Sequence, residues 1–418
     1  MQTKVQLDHH TVPDGHVVRM LLRIEGSPPP AGTRTPLDLA LVLDRSGSME
    51  GTKIDAAKHA ALEVARRLWP QDRVSVVAYD HEVATVAARA AGGDAPDLSH
   101  RIGSIAARGS TNLSGGWLRG RELLDTGAER LVRRIVLLTD GLANTGITDP
   151  AQLASMAARA REGGISTTTI GFGEDYDETL LRRMAEAGGG GTYYIETADQ
   201  ALAIFRDELS DLLGTCAQNL SVTIAPAPVV QAVRVRHAYT SSATQDGVRY
   251  DMGDLYAREP RLLLVEFLLP VAPASTLAVA TLAISADVLD AGDVRHETTT
   301  LPVTLDAAHV PHVDATIERE SLLLDAADAR EEALRARERG DYDAARRTLR
   351  ESVEKMRSAG VRDDHVQAEI DDLDALTAEA PTAFAEERNA KYLHQMAYDR
   401  KVGRTRKRDL IERRRRPS

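Results

Sequence analysis

Between Asp38 and about Leu213, short apolar runs alternate with longer stretches of helical periodicity, and that alternation limits the fold more than any other feature. Runs with no polar face suit strands covered on both sides, and the helices between them supply the cover. The runs are LDLALVLD ending at Asp44, RVSVVAY from Arg73 to Tyr79, RRIVLLTD ending at Asp140, STTTIGFG from Ser166 to Gly173, and a short TYYI. Lys53 to Leu68 places Ala57, Ala60, Ala61, Val64 and Leu68 at helical spacing, with Pro70 beyond as a stop. Ala151 to Arg161 and Gln200 to Leu213 are further helical stretches, the first closed by Gly163 and Gly164. Residues 36–215 therefore read as a doubly wound, Rossmann-like α/β unit.

After Cys216 the texture changes to LSVTI, VVQAVRVRHAY, RLLLVEFLL, TLAVATLAISADV and TTTLPVTL, with Pro, Gly and Asp clusters between them. That pattern predicts a β-sandwich over residues 216–308. HVVRMLLRI near the N-terminus is also strand-like and too short to fold alone. Residues 1–35 are thus expected to give the N-terminal strands of the same sandwich, with the α/β unit inserted into it. From about Asp314 the chain becomes rich in Ala, Leu, Glu and Arg, predicting helices at Ile317 to Arg339, Asp343 to Ser358 and Val361 to Ala378. They would form a C-terminal helical bundle, residues 312–380, followed by a basic helical or disordered tail, residues 381–418.

A lone cysteine, Cys216, rules out an intramolecular disulfide, a thiolate zinc site and a CxxC redox pair. The N-terminal residues show no signal-peptide pattern, and no run approaches the roughly 20 apolar residues that span a bilayer. A cytoplasmic home is the expectation. The net charge of -11 conceals a basic end, with Arg404, Arg406, Lys407, Arg408 and Arg413 to Arg416 crowded into the last residues. Such an end can contact an acidic surface.

Asp44-Arg45-Ser46-Gly47-Ser48 follows the first strand of the α/β unit directly, so three oxygen-bearing side chains can converge from one tight loop. Convergent oxygens suit a hard divalent cation, and Gly47 permits the sharp backbone path. Thr111, in GSTNL, opens a helix, and Asp140, in TDG, ends an apolar strand. Both belong to the carboxyl-end crevice where open α/β sheets bind ligands. Gly171-Phe172-Gly173 and Gly188 to Gly191 match neither GxxxxGK[ST] nor a GxGxxG at the first βα turn, which argues against a nucleotide. No HExxH pattern occurs and no nucleophile with a base is recognisable, so the reading is binding and not catalysis.

DRSGSM, GSTNLSGG around Thr111 and LLTDGLANTG around Asp140 resemble the von Willebrand factor A (VWA) family over roughly Asp38 to Leu213. The resemblance implies a metal-ion-dependent adhesion site at Asp44, Ser46, Ser48, Thr111 and Asp140. Ser46, Ser48 and Thr111 would be direct or near-direct ligands, with Asp44 and Asp140 acting partly through water. The ion would be Mg²⁺, with Mn²⁺ or Ca²⁺ as alternatives, and a carboxylate of a partner protein would complete its shell. Arg45, inside the motif, is expected either to be solvated or to guide that acidic partner. The implied function is metal-dependent protein–protein interaction. Two alternatives stay open: an assembly or adaptor subunit beside an AAA+ ATPase of the MoxR or chelatase type, and a surface adhesin or channel-associated protein.

Overall fold

The structure, a computed structural model, describes all residues except 13–14, 29–32, 93–94, 126–130, 174, 196, 258, 271–275, 291–292, 307–312, 379–385 and 404–418. The chain opens with a hairpin of β1 (Gln2–Val12) and β2 (Gly15–Glu25), then enters an α/β unit. In that unit β3 (Leu37–Asp44), β6 (Val132–Thr139) and β7 (Ile165–Phe172) run parallel at the centre of a sheet. Beyond them lie β4 (Arg73–Tyr79) on one side and β8 (Gly189–Ile195) on the other, both parallel to their neighbours. The edge strand β5 (Val83–Ala91) is antiparallel, completing the order β5-β4-β3-β6-β7-β8.

Helices α1 (Thr52–Arg67), α2 (Ala95–Gly103) and α6 (Ala198–Leu213) cover one face of this sheet, and α3 (Leu113–Leu124), α4 (Pro150–Glu162) and α5 (Glu178–Ala187) cover the other. The two-residue pleat divides β3 between them: Leu37, Leu39, Leu41 and Leu43 enter the first core, Ala40 and Val42 the second. Each such leucine contributes about 1.5–3 kcal/mol on burial, which is why the central strands read as continuous apolar runs. Asp177 caps α5 by accepting from Leu180 N, so the acidic stretch there begins a helix.

Helix α3 lies unusually close to the sheet. A Cβ on Gly116 would stand 2.5 Å from the Tyr79 ring, and one on Gly120 would stand 2.6 Å from Val42 Cγ2. These two glycines, one helical turn apart, let the α3 backbone settle onto β3 and β4 and thereby fix the loop that carries Thr111.

Two antiparallel sheets make up most of the remainder. The first has the order β1-β2-β13-β10, with β10 (Ala232–Val235) and β13 (Arg261–Leu269); the second has the order β11-β12-β9-β14-β15. The second comprises β9 (Thr215–Pro226), β11 (Thr240–Thr244), β12 (Gly247–Tyr256), β14 (Leu277–Asp290) and β15 (Asp293–Leu305). The sheets share one apolar core, to which Met20, Leu22, Val222, Ile224, Leu263 and Leu282 all belong. β2 pairs along its length with β13, Ile24 opposite Arg261 and His16 opposite Leu269. The hairpin β11–β12 falls where the sequence pattern gave no strand, because every residue of TSSAT is exposed and no apolar alternation marks it.

The α/β unit meets these sheets through buried charge. Arg134, fully buried at the start of β6, pairs with Asp254 of β12 and with Glu208 of α6 at 3.3 Å. Thr168 Oγ1 and Tyr193 Oη donate to the two Glu208 oxygens at 2.6 and 2.7 Å, and Arg261 Nη2 donates to Asp254 O at 2.8 Å.

The chain ends in helices α7 (Ala315–Glu338), α8 (Tyr342–Ala359), α9 (Asp364–Ala378) and α10 (Glu387–Lys401). Asp314 and Asp341 cap α7 and α8 through backbone N–H groups two or three residues on. The first three match the predicted spans within a few residues. Helix α10 lies where the sequence suggested a basic tail. It is docked: Lys391 Nζ sits 3.6 Å from the Tyr176 ring centroid, Gln395 Nε2 donates to Thr192 O at 3.1 Å, and Lys401 Nζ pairs with Glu331 at 2.7 Å. Lys391 and Lys401 are thus held by tertiary contacts, while the densest arginine cluster, in 404–418, lies outside the described residues. No described helix is long and apolar enough to cross a membrane.

Candidate metal centre

Three loops meet at the carboxyl ends of β3, β4 and β6. Asp44, the last residue of β3, is fully buried; its Oδ1 accepts from Ser46 N at 2.7 Å and its Oδ2 accepts from Thr139 Oγ1 at 2.6 Å. Ser46 Oγ is hydrogen bonded to Ser48 Oγ at 3.1 Å, and Ser48 Oγ donates to Asp140 Oδ1 at 2.7 Å. Backbone bonds tie this loop to its neighbours, Gly47 N to Gly109 O at 3.0 Å and Arg45 N to Tyr79 O at 2.8 Å.

Thr111 precedes α3, which Asn112 caps by accepting from Gly115 N. Thr111 N donates to Asn144 Oδ1 at 3.0 Å, and Thr111 O accepts from Asn144 N and Thr145 N, so the loop after β6 grips it from both sides. A Cβ on Gly141 would stand 3.5 Å from Thr111 Oγ1 and 3.7 Å from Ser48 Oγ, so those hydroxyls flank the start of the β6 loop. All five residues singled out from the sequence are brought into this one region.

The electrostatics are unequal. Burial pushes the Asp44 carboxyl above its ordinary range, the Thr139 and Ser46 hydrogen bonds pull it back, and the charge of Asp140 pushes it up again. Among the described residues Asp44 forms no ion pair with a cation. Asp140 has one, Lys53 Nζ at 2.5 Å from its Oδ2. Burial and the neighbouring Asp44 charge also push the Tyr79 phenol up, so it stays a neutral donor, to Leu138 O at 3.2 Å. A buried carboxylate lacking a cation, a second carboxylate beside it and three hydroxyls form an all-oxygen donor set, the kind that fits a hard divalent ion.

Lys53, Thr139 and Asn144 were not singled out from the sequence. Their contacts join loops distant in the chain, and only the position of Thr139 within TDG hinted at a part. A second acidic group, Asp80, His81 and Glu82, brings three potential ligand atoms within 4.8 Å of one another at the turn before β5. Its charges are already met. Asp80 Oδ2 lies 2.9 Å from Arg45 Nε and accepts from Arg108 Nε at 2.8 Å, while Glu82 accepts from Arg108 Nη2 at 2.5 Å. Burial would raise the Asp80 pKa, but the Glu82 backbone bond and the two guanidiniums outweigh it and hold the carboxyl below its usual range. Arg45 is therefore not simply solvated: it is paired with Asp80, its side chain 13% exposed.

Comparison with known proteins agrees with this architecture. A sequence profile described as the von Willebrand factor type A domain matches residues 38–208. An uncharacterized Synechocystis protein is 28% identical over 302 residues, covering 70% of this chain and 71% of that protein. The uncharacterized protein YfbK of Escherichia coli is 29% identical over 241 residues, which cover 56% of this chain but 42% of YfbK. In fold, the chain is similar to a von Willebrand factor type A structure from Catenulispora acidiphila, with a TM-score of 0.69, 18% identity and 97% of each chain covered. Domains of this family are metal-dependent protein-interaction modules. The profile match, with a sheet order and strand-end loops that agree with it, identifies residues 38–208 of this chain as a von Willebrand factor type A domain.

Proposed function

We propose that Asp44, Ser46, Ser48, Thr111 and Asp140 bind Mg²⁺, or Mn²⁺ or Ca²⁺ in its place, and that the bound ion grips a carboxylate of a partner protein. The observation that carries this reading is Asp44: a fully buried carboxylate, beside a second one, with no cation paired to it among the described residues. When bound, the ion would act as a Lewis acid with one position left for an anionic ligand. The protein's share is to hold the oxygens in place, through Thr139 for Asp44 and Asn144 for Thr111. The hydroxyls of Ser46, Ser48 and Thr111 are ligands in this reading, which is binding and not catalysis. A single thiol suits a reducing cytoplasm.

Calorimetry tests the site. Wild-type protein should bind Mg²⁺ or Mn²⁺, and Asp44→Ala should lose that binding; undiminished affinity in the variant would remove the assignment. EDTA should then release the partner from an affinity column. Recovery of an AAA+ ATPase in that metal-dependent fraction would assign the assembly-subunit role instead.

The domain plan that goes with this reading is one β-sandwich, residues 1–35 and 216–308, interrupted by the α/β unit, residues 36–215, and followed by the bundle, residues 312–380. The pairing of β2 with β13 and the shared core of the two sheets support it. Deleting residues 1–34 should lower the melting temperature sharply, and a deletion protein melting cooperatively at the wild-type temperature would contradict the plan. The arginines of residues 404–418 are proposed to contact an acidic surface.

A further inference from the structure

We infer that Lys53 is a tethered cation that occupies the charge of Asp140 in the metal-free chain and weakens the uptake of a divalent ion; this rests on the metal reading above. Lys53 is the second residue of α1. A cation in the first turn of a helix opposes the helix dipole, so this placement needs a compensating contact. Asp140 provides it. Lys53 Nζ donates to Asp140 Oδ2 at 2.5 Å while Ser48 Oγ donates to the other oxygen, Oδ1, at 2.7 Å.

The lysine does not extend into water as long basic side chains at surfaces do. Its side chain is 27% exposed, and its far side faces the loop after β7, where a Cβ on Gly173 would stand 3.4 Å from Nζ. Gly173 has φ +79, so glycine is favoured there on backbone grounds, and a Cβ there would make an ordinary contact with the ammonium. Lys53 therefore lies between the β6 and β7 loops with its ammonium on Asp140.

Two consequences follow from charge alone. Without metal, the ammonium offsets one of two neighbouring carboxylates and keeps them from repelling each other apart. With metal, a second positive charge competes for the same carboxylate. A unit charge a few ångströms from a divalent ion at the edge of a protein changes affinity by roughly tenfold or more. Lys53 thus trades affinity for a pre-shaped metal-free site, and the additional positive charge favours an anionic group as the ion's remaining ligand.

The test compares full-length wild type, Lys53→Met, Lys53→Gln and Lys53→Arg, each titrated with Mn²⁺ by calorimetry and melted with and without Mn²⁺. Lys53→Gln keeps a donor for Asp140 without the charge, so it reads the electrostatic effect even if Lys53→Met fails to fold. The expected result is about tenfold tighter Mn²⁺ binding for the two neutral variants. Their metal-free melting temperature should fall and their Mn²⁺-induced rise should grow, while Lys53→Arg stays near wild type. Unchanged or weaker binding in both neutral variants, with wild-type binding still abolished by Asp44→Ala, overturns the role of Lys53 alone. Binding absent from wild type, or untouched by Asp44→Ala, overturns the metal reading and this inference with it.

Discussion

At the start of β6, Arg134 is buried among Glu208 and Asp254; at its end, Asp140 is buried beside Asp44. Both places put two carboxylates out of water within one strand's length of each other. At the first, both acids bond directly to a guanidinium and to hydroxyl partners, so the chain itself supplies the compensation. At the second, Asp140 has a lysine, and among the described residues Asp44 has a backbone N–H and a hydroxyl as donors and no cation. A buried carboxylate must be paired, bound to an ion or held neutral by a raised pKa, so the closed end belongs to the architecture and the open end is the one proposed to take an ion. The difference separates a structural network from the proposed site without any appeal to motif.

The largest expected effect is at the closed end. Arg134→Met leaves Glu208 and Asp254 buried without their cation and should cost about 3–5 kcal/mol in urea unfolding. A loss under about 1 kcal/mol would mean that the network does not hold the α/β unit to the sheets. Gly116→Ala should come next. Its Cβ would meet the Tyr79 ring, and overpacking of this kind costs about 1–3 kcal/mol. Because α3 must then lift, Thr111 should move and Mn²⁺ affinity should fall with stability; stability lost with affinity intact would separate α3 from the site.

A smaller effect is a pH dependence confined to the open end. Asp44 has a folded-state pKa raised above its ordinary 3.8. Stability linked to it is fully present below 3.8 and is lost as pH rises through the folded value, since the folded chain holds the proton longer. Asp44→Asn has no such titration. The stability difference between the metal-free variant and wild type should therefore shift in the variant's favour as pH rises from about 4, and Mg²⁺ should reverse the shift in wild type only. A difference flat with pH would contradict the burial of an unpaired charge.

The smallest expected effect on the fold comes from truncation after Gly403. Melting temperature and metal affinity should be unchanged, while binding to an acidic surface should lose its salt dependence, exposed charges being screened over about 8 Å at physiological ionic strength. Identical binding and salt dependence in truncated and full-length protein would make residues 404–418 a solvated end.

What the sequence made legible divides along the same physical lines. β3, β4, β6 and β7 could be read because burial on both faces leaves continuous apolar runs, and DRSGS could be read because its three oxygens lie in one loop. β5 and β11 could not: an edge strand half in water and a short strand wholly exposed carry no period of their own. Lys53 at Asp140, Arg45 at Asp80 and Lys391 over Tyr176 could not either, because each charge is settled by a partner far along the chain. α10 falls in the stretch read as a basic helical or disordered tail, and it is a helix whose Lys391, Gln395 and Lys401 each contact other parts of the molecule.

The most direct test of the contrast between the two ends of β6 is a crystal structure of the full chain grown with Mn²⁺ and measured at the manganese absorption edge. The account predicts one strong anomalous peak among Asp44, Ser46, Ser48, Thr111 and Asp140, with hydroxyl oxygens roughly 2.0–2.3 Å from it. The region around Arg134 should show none. A peak at Asp80, His81 and Glu82 with none at Asp44, or no peak anywhere in protein shown by calorimetry to be folded, would contradict it.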